Sequence, residues 1–156
     1  MIYRIAGEKD VELICELRKQ QLIDEGSIPR DIDAQQHAFF RQRIKDGTCI
    51  EWLAEENGKV IASAALIFYQ FPPCYENPSG LRGYVANVYT APEYRNQGIS
   101  SKLLELIKQT AAEHDCHELM LSTSEMGRNV YLRAGFHTAD YWMEMEFWPC
   151  RTVRKN

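Results

Sequence analysis

The stretch "CIEWLAEENGKVIASAALIFYQF", residues 49–71, limits the possible folds more than any other part of the chain. Asn57-Gly58 near its centre is the strongest short hairpin signal, since both positions tolerate positive φ. The arm after the turn is long and mostly apolar, as expected near the centre of a sheet. Such a sheet needs helices on its faces.

The flanking sequence supplies them. "IYRIA" (2–6) reads as a short strand. In 8–25, Val11, Ile14, Leu17, Leu22 and Ile23 recur at roughly helical spacing until Gly26, Pro29 and Asp31 interrupt. Asp33 is placed to cap a second helix, "AQQHAFFRQRIKDG", which Gly47 ends. After the hairpin come a polar loop (72–80), a strand "LRGYVANVYT" (81–90) and a helix over 99–114 with an apolar stripe of Leu103, Leu104, Ile107 and Ala111. "HELMLSTS" (117–124) predicts a strand, and "EMGRNVYLRAGF" a short helix stopped by Gly135. "ADYWMEMEFW" (139–148) alternates as a final strand, with Tyr141, Met143, Met145 and Phe147 on one face and Trp142, Glu144, Glu146 and Trp148 on the other. The order β-α-α-β-β-β-α-β-α-β indicates an α/β or α+β sheet flanked by helices.

The 156 residues fit one domain over 1–150 with a basic tail at 151–156, and an apolar share of 45% can fill its core. A formal net charge of −4 argues against nucleic acid as partner, because phosphate neutralisation needs clustered Lys and Arg. Cys15, Cys49, Cys74, Cys116 and Cys150 are odd in number and without paired spacing, which suits a reducing cytoplasm rather than a disulfide framework. The N-terminus carries charge from Arg4 onward, unlike a signal peptide, and no stretch is apolar enough for a membrane span.

Function turns on "EYRNQGIS" (93–100), the link between a strand and a helix. The first N–H groups of a helix lack partners, and the helix dipole favours an anion there. Gly98 leaves room for close approach, Ile99 can anchor the loop in the core, Ser100 adds a hydroxyl and Arg95 a cation. On residue chemistry alone, a diphosphate seat on the amides of Asn96 to Ser101 and an ordinary turn both remain open. Neither a P-loop nor a dinucleotide-binding glycine pattern is present.

The wider block "NVYTAPEYRNQGISSKLLELI", followed some thirty residues later by "GRNVYLRAGF", resembles the GCN5-related N-acetyltransferase (GNAT) family. Arg95, Gly98 and Ser100 occupy the positions of its signature loop, with Ser100 in place of the usual Gly or Ala. Val130, Tyr131, Gly135 and Phe136 occupy those of its C-terminal block. The resemblance implies a mixed, mostly antiparallel sheet, splayed in the middle, with helices on both faces. It also implies acetyl-CoA as acyl donor, its diphosphate on the amides of Asn96, Gln97, Gly98, Ile99, Ser100 and Ser101, with Arg95 beside them as a cofactor-binding residue. The pantetheine arm would lie along Val88, Tyr89 and Thr90, where a backbone N–H polarises the thioester carbonyl. A primary amine would attack directly, with Tyr131 as general acid to the departing thiolate. Ser124 would touch the pantetheine arm or cap the short helix. Arg128 would reach a ligand or stand in solvent. The strand offers no carboxylate at Tyr84, Ala86 or Asn87, so the resemblance names no general base. A non-catalytic acyl-CoA sensor is the competing reading.

Other signals carry less. His114, Cys116 and His117 lack metal-site spacing, so no metal is expected. No local signature pairs a cysteine with His37 or His137 as a nucleophile. Trp52, Trp142 and Trp148 suit core or dimer contacts as well as a ligand, and a homodimer is compatible with an exposed strand edge. Glu25, Tyr69, Tyr75, Glu76 and Glu144 are candidate walls for a cationic acceptor. The sequence leaves the acceptor itself open.

Overall fold

The computed structural model describes residues 1–145. In chain order, β1 is Ile2–Ile5, α1 Val11–Asp24, α2 Asp33–Lys45, β2 Cys49–Glu56, β3 Lys59–Gln70, β4 Leu81–Thr90, α3 Ile99–Glu113, β5 Leu119–Met120 and α4 Arg128–Arg133. The five strands form one sheet in the order β1-β2-β3-β4-β5. The first three pairings are antiparallel and β4–β5 is parallel, so the sheet is mixed and mostly antiparallel.

The predicted hairpin is present. Asn57 and Gly58 have φ of 51° and 77° and join β2 to β3. β3 lies at the middle of the sheet, with Ile61 to Leu66 fully buried. Helices cover both faces. On one, Leu103, Leu104 and Ile107 of α3 pack on Ala54, Ile61, Leu66 and Val85. Each of these three α3 side chains is fully buried and contributes about 2 kcal/mol by leaving water. On the other, Val11, Ile14 and Cys15 of α1 and Phe40 of α2 pack on Cys49, Leu53 and Ala65. The α1 stripe is therefore narrower than its spacing predicts: Ile23 is exposed and Cys15 joins the core.

The sheet opens beside β4. Gly83 pairs with Leu119 and Tyr84 with Met120, and pairing ends there, while β4 continues to Thr90. A Cβ on Gly83 would come within 2.6 Å of both Leu119 Cδ2 and Leu66 Cδ1, so a larger residue would force these two leucine side chains to shift where β5 docks. The predicted strand 117–124 thus shrinks to two residues, and Leu121–Ser124 leave β4 without a neighbour on that side.

Three local expectations are corrected. Asp33 is the first residue of α2 rather than its cap. Its N–H donates to Asp31 Oδ1 at 3.3 Å, and its carboxylate pairs with Lys19 at 2.8 Å. The first helix begins with a 3-10 turn at Glu8–Asp10 before α1. Residues 139–145 form a turn and irregular backbone rather than a strand, and 146–148 lie outside the described residues, as does the 151–156 tail. Alternation creates two faces but no partner, and the two-residue β5 offers little edge to pair with. Tyr141, Met143 and Met145 are exposed accordingly. No helix among the described residues is long and apolar enough to cross a membrane.

Candidate active site

β4 changes phase where the sheet opens. The Gly83 N–H donates to Glu118 O on the β5 side, whereas the Ala91 N–H donates to Ile61 O on the β3 side. Both positions are odd-numbered, so an uninterrupted strand would point both the same way. The register places the extra residue between Ala86, opposite Ala65, and Tyr89, opposite Ser63. Asn87 lies within this bulge with φ of 52°. Beyond it, Val88 and Thr90 turn their N–H groups to the open side.

Asn87 is buried, and its partners come from two other strands. Ser63 Oγ donates to Asn87 O at 3.0 Å, and Asn87 Nδ2 donates to Glu51 Oε2 at 3.2 Å. Glu51 is fully enclosed under α1. Burial pushes its carboxyl up to about 8, against the opposing pull of Asn87, Ser63 and Arg18. Sequence reading missed this group. The available signal was that Glu51 shares a strand face with Cys49 and Leu53.

The loop after β4 meets α3 through two left-handed residues, Asn96 (φ 62°) and Gly98 (φ 79°). The Lys102 N–H donates to Gly98 O, so the N–H groups of Ile99, Ser100 and Ser101 have no acceptor within the helix. A Cβ on Gly98 would meet nothing within 4 Å, leaving the space before these amides clear. Ile99 is buried and anchors the loop in the core. Ser100 Oγ lies 2.9 Å from Thr90 Oγ1, fastening the first turn to the end of β4. Arg95 does not extend freely toward the amides. Its Nε donates to Thr90 O at 3.0 Å, and its guanidinium pairs with Asp24 at the end of α1. Gln20, and then Arg95, hold the Asp24 carboxyl below the usual range.

A cavity of about 470 Å³ unites these parts. Val88, Tyr89 and Thr90 form one wall, and Arg95, Asn96, Gly98, Ile99, Ser100 and Ser101 form its end. Ser124 and Tyr131 stand on another wall. Gln97 is the one predicted binding residue outside the lining; its side chain donates to Glu93 O at 3.4 Å. Ser124 Oγ accepts from the Gly127 N–H at 3.4 Å, so it faces the cavity and also ties the start of α4. Gln21 and Asp24 of α1, and Glu25 just after it, add a polar rim. Tyr131 is held edge-on to Phe136, ring centres 6.0 Å apart, and its phenol is pushed up to about 12, chiefly by burial and then by Glu25 and Tyr84. The Phe136 N–H to Tyr131 O and Gly135 N–H to Leu132 O bonds close α4 and set the ring's place.

Of the expected acceptor walls, only Glu25 borders this cavity. Tyr75 and Glu76 are exposed, Tyr69 bonds Met120 sulfur, and Glu144 lines a second cavity that also touches Tyr131. Arg128 lines that second cavity too. Trp52 is no ligand platform, since its indole N–H donates to Thr110 Oγ1 at 3.0 Å. His114 caps α3 and stacks near Phe68. Among the described residues, no three His, Cys, Asp or Glu side chains are grouped to hold a metal ion.

An open strand edge beside a bulge, unpaired amides at a helix start and a facing tyrosine thus meet in one cavity. The acetyltransferase (GNAT) family profile matches residues 12–136, and the chain belongs to that family. A predicted acetyltransferase from Clostridium acetobutylicum, solved with acetyl-CoA, is 41% identical, with a TM-score of 0.91 over 93% of this chain and 95% of that one. A GCN5-related N-acetyltransferase from Ralstonia eutropha is 27% identical, with a TM-score of 0.84 over 93% of this chain and 97% of the other. Among curated proteins, a bovine (Bos taurus) thialysine N-epsilon-acetyltransferase is 27% identical over 62% of this chain and 54% of its own length. The chain thus spans about half the length of that relative.

Proposed function

We propose that this chain transfers the acetyl group of acetyl-CoA to a primary amine by direct attack. One observation carries the reading: a single cavity joins the open edge of β4, the unpaired amides of α3 and the phenol of Tyr131. The residues present fit the donor. Three helix-start N–H groups behind a glycine suit a diphosphate, and the unpaired stretch of β4 suits an extended amide-bearing arm. The Val88 N–H, on the open side of β4, is a donor available to a thioester oxygen as it gains charge.

In the chemical step the amine nitrogen bonds the carbonyl carbon and the C–S bond breaks. Tyr131 donates its proton to the leaving sulfur. A phenol near 12 gives it up uphill to a thiolate whose parent thiol has an ordinary pKa of about 8.5. The proton shed by the attacking nitrogen restores the phenol, so the net transfer runs from nitrogen to sulfur. Glu25, beside the cavity, favours a cationic acceptor at the mouth.

The experiment is a thiol-release assay over primary amines, with thialysine, a polyamine, an aminoglycoside and a peptide N-terminus on the panel. Acetyl-CoA-dependent release that Tyr131→Phe nearly abolishes supports the proposal. Acetyl-CoA binding with no release for any amine favours the second reading, a non-catalytic acyl-CoA sensor. The observation on that side is that the cavity-lining residues of β4 are Val88, Tyr89 and Thr90, none of them a carboxylate.

A further inference from the structure

We infer that Glu51 and Ser63 are positioning residues for acetyl transfer, clamping the Asn87 bulge so that the backbone of Val88 and Thr90 faces the acyl donor. The inference rests on the proposed function and adds residues that lie outside the cavity.

Asn87 adopts a left-handed conformation in the interior of a strand, which persists only when its surroundings impose it. Asparagine tolerates that region better than most residues, but its short side chain and carbonyl still need partners when buried. They come from 36 and 24 residues away in the chain: Glu51 on β2 takes the amide, and Ser63 on β3 gives its hydroxyl to the carbonyl. Three adjacent strands are thereby tied at the point where β4 changes phase. Releasing either tie frees β4 to slip back into regular pairing, which would turn the Val88 and Thr90 N–H groups away from the open side.

Glu51 is not a catalytic residue. It does not line the cavity, and its carboxyl is spent on Asn87. Burial keeps it uncharged near neutral pH, and its carbonyl oxygen still accepts from Asn87 in that form. Around it stand Arg18 and Cys15 of α1 and Cys49 of its own strand, both thiols being raised by burial. None replaces the bond to Asn87.

The test combines steady-state thiol release, using the amine that wild-type protein acetylates fastest, with calorimetric acetyl-CoA binding. Ser63→Ala and Glu51→Leu are expected to lower kcat at least tenfold while the acetyl-CoA Kd rises by a clearly smaller factor, because the helix-start amides of α3 are untouched. Glu51→Gln keeps an acceptor for Asn87 and is expected to hold kcat within threefold. Should Glu51→Leu fail to fold, Ser63→Ala decides, since it removes a single oxygen. Unchanged kcat in Ser63→Ala, or kcat and affinity lost in parallel, overturns the inference while leaving the proposed function standing. Wild-type protein that binds no acetyl-CoA overturns both.

Discussion

Replacing Glu51 by Gln should make the protein more stable at alkaline pH, relative to wild type, and progressively less so as pH falls. The folded carboxyl titrates at about 8, against an ordinary value of 4.5. Between these values the folded chain holds one proton that the unfolded chain has released. Stability therefore falls as pH rises through that window, by about 1.4 kcal/mol per pH unit. Below the window both states are protonated and the effect vanishes; above it both are ionised and the penalty is constant. Glutamine has no such titration and keeps an oxygen for Asn87 Nδ2. From pH 5.5 to 7.5 the wild type should lose roughly 2.7 kcal/mol relative to Glu51→Gln. For a chain of this size that is a Tm difference of roughly 5–10 °C. Urea unfolding of both proteins at half-unit pH steps measures it. Parallel stability curves across the window would refute a protonated, buried Glu51.

Other outcomes follow from the same structure. Tyr131→Phe should lower kcat at least a hundredfold while calorimetry finds acetyl-CoA affinity within threefold, because the ring keeps its packing on Phe136. Gly98→Val forces a branched residue to φ 79° and crowds the amides before α3, so acetyl-CoA should bind at least tenfold more weakly with a Tm loss of a few degrees. Gly83→Ala should cost stability by about 1–3 kcal/mol, read by urea unfolding, as its methyl meets Leu119 and Leu66 at the β4–β5 junction. Trp52→Phe leaves the Thr110 hydroxyl without its indole donor and should cost about 1 kcal/mol in the same assay.

What the sequence discloses about this fold is mostly local. Asn57-Gly58, the α3 stripe and the Gly135 stop each depend on residues within a turn or two, and each is found where the pattern puts it. The loop from Arg95 to Ser101 is legible for the same reason: strand, glycine and helix start adjoin in the chain. Long-range partners are not written locally. Asp24 meets Arg95 across 71 residues, so an arginine that reads as a cation for phosphate also binds α1 to the loop. Glu51 reads as an ordinary polar position until β3 and β4 bring Ser63 and Asn87 beside it. The alternating run at 139–148 shows the converse: a strand pattern predicts two faces, but the strand itself needs an edge. Over the described residues 139–145 no such pairing forms.

The central claim is that the cavity between β4, α3 and Tyr131 holds acetyl-CoA. Isothermal titration of the wild-type protein with acetyl-CoA tests it most directly. The account predicts saturable binding of one molecule per chain, competed by free CoA and weakened by Gly98→Val. No heat of binding up to millimolar acetyl-CoA, or binding indifferent to Gly98→Val, would contradict it.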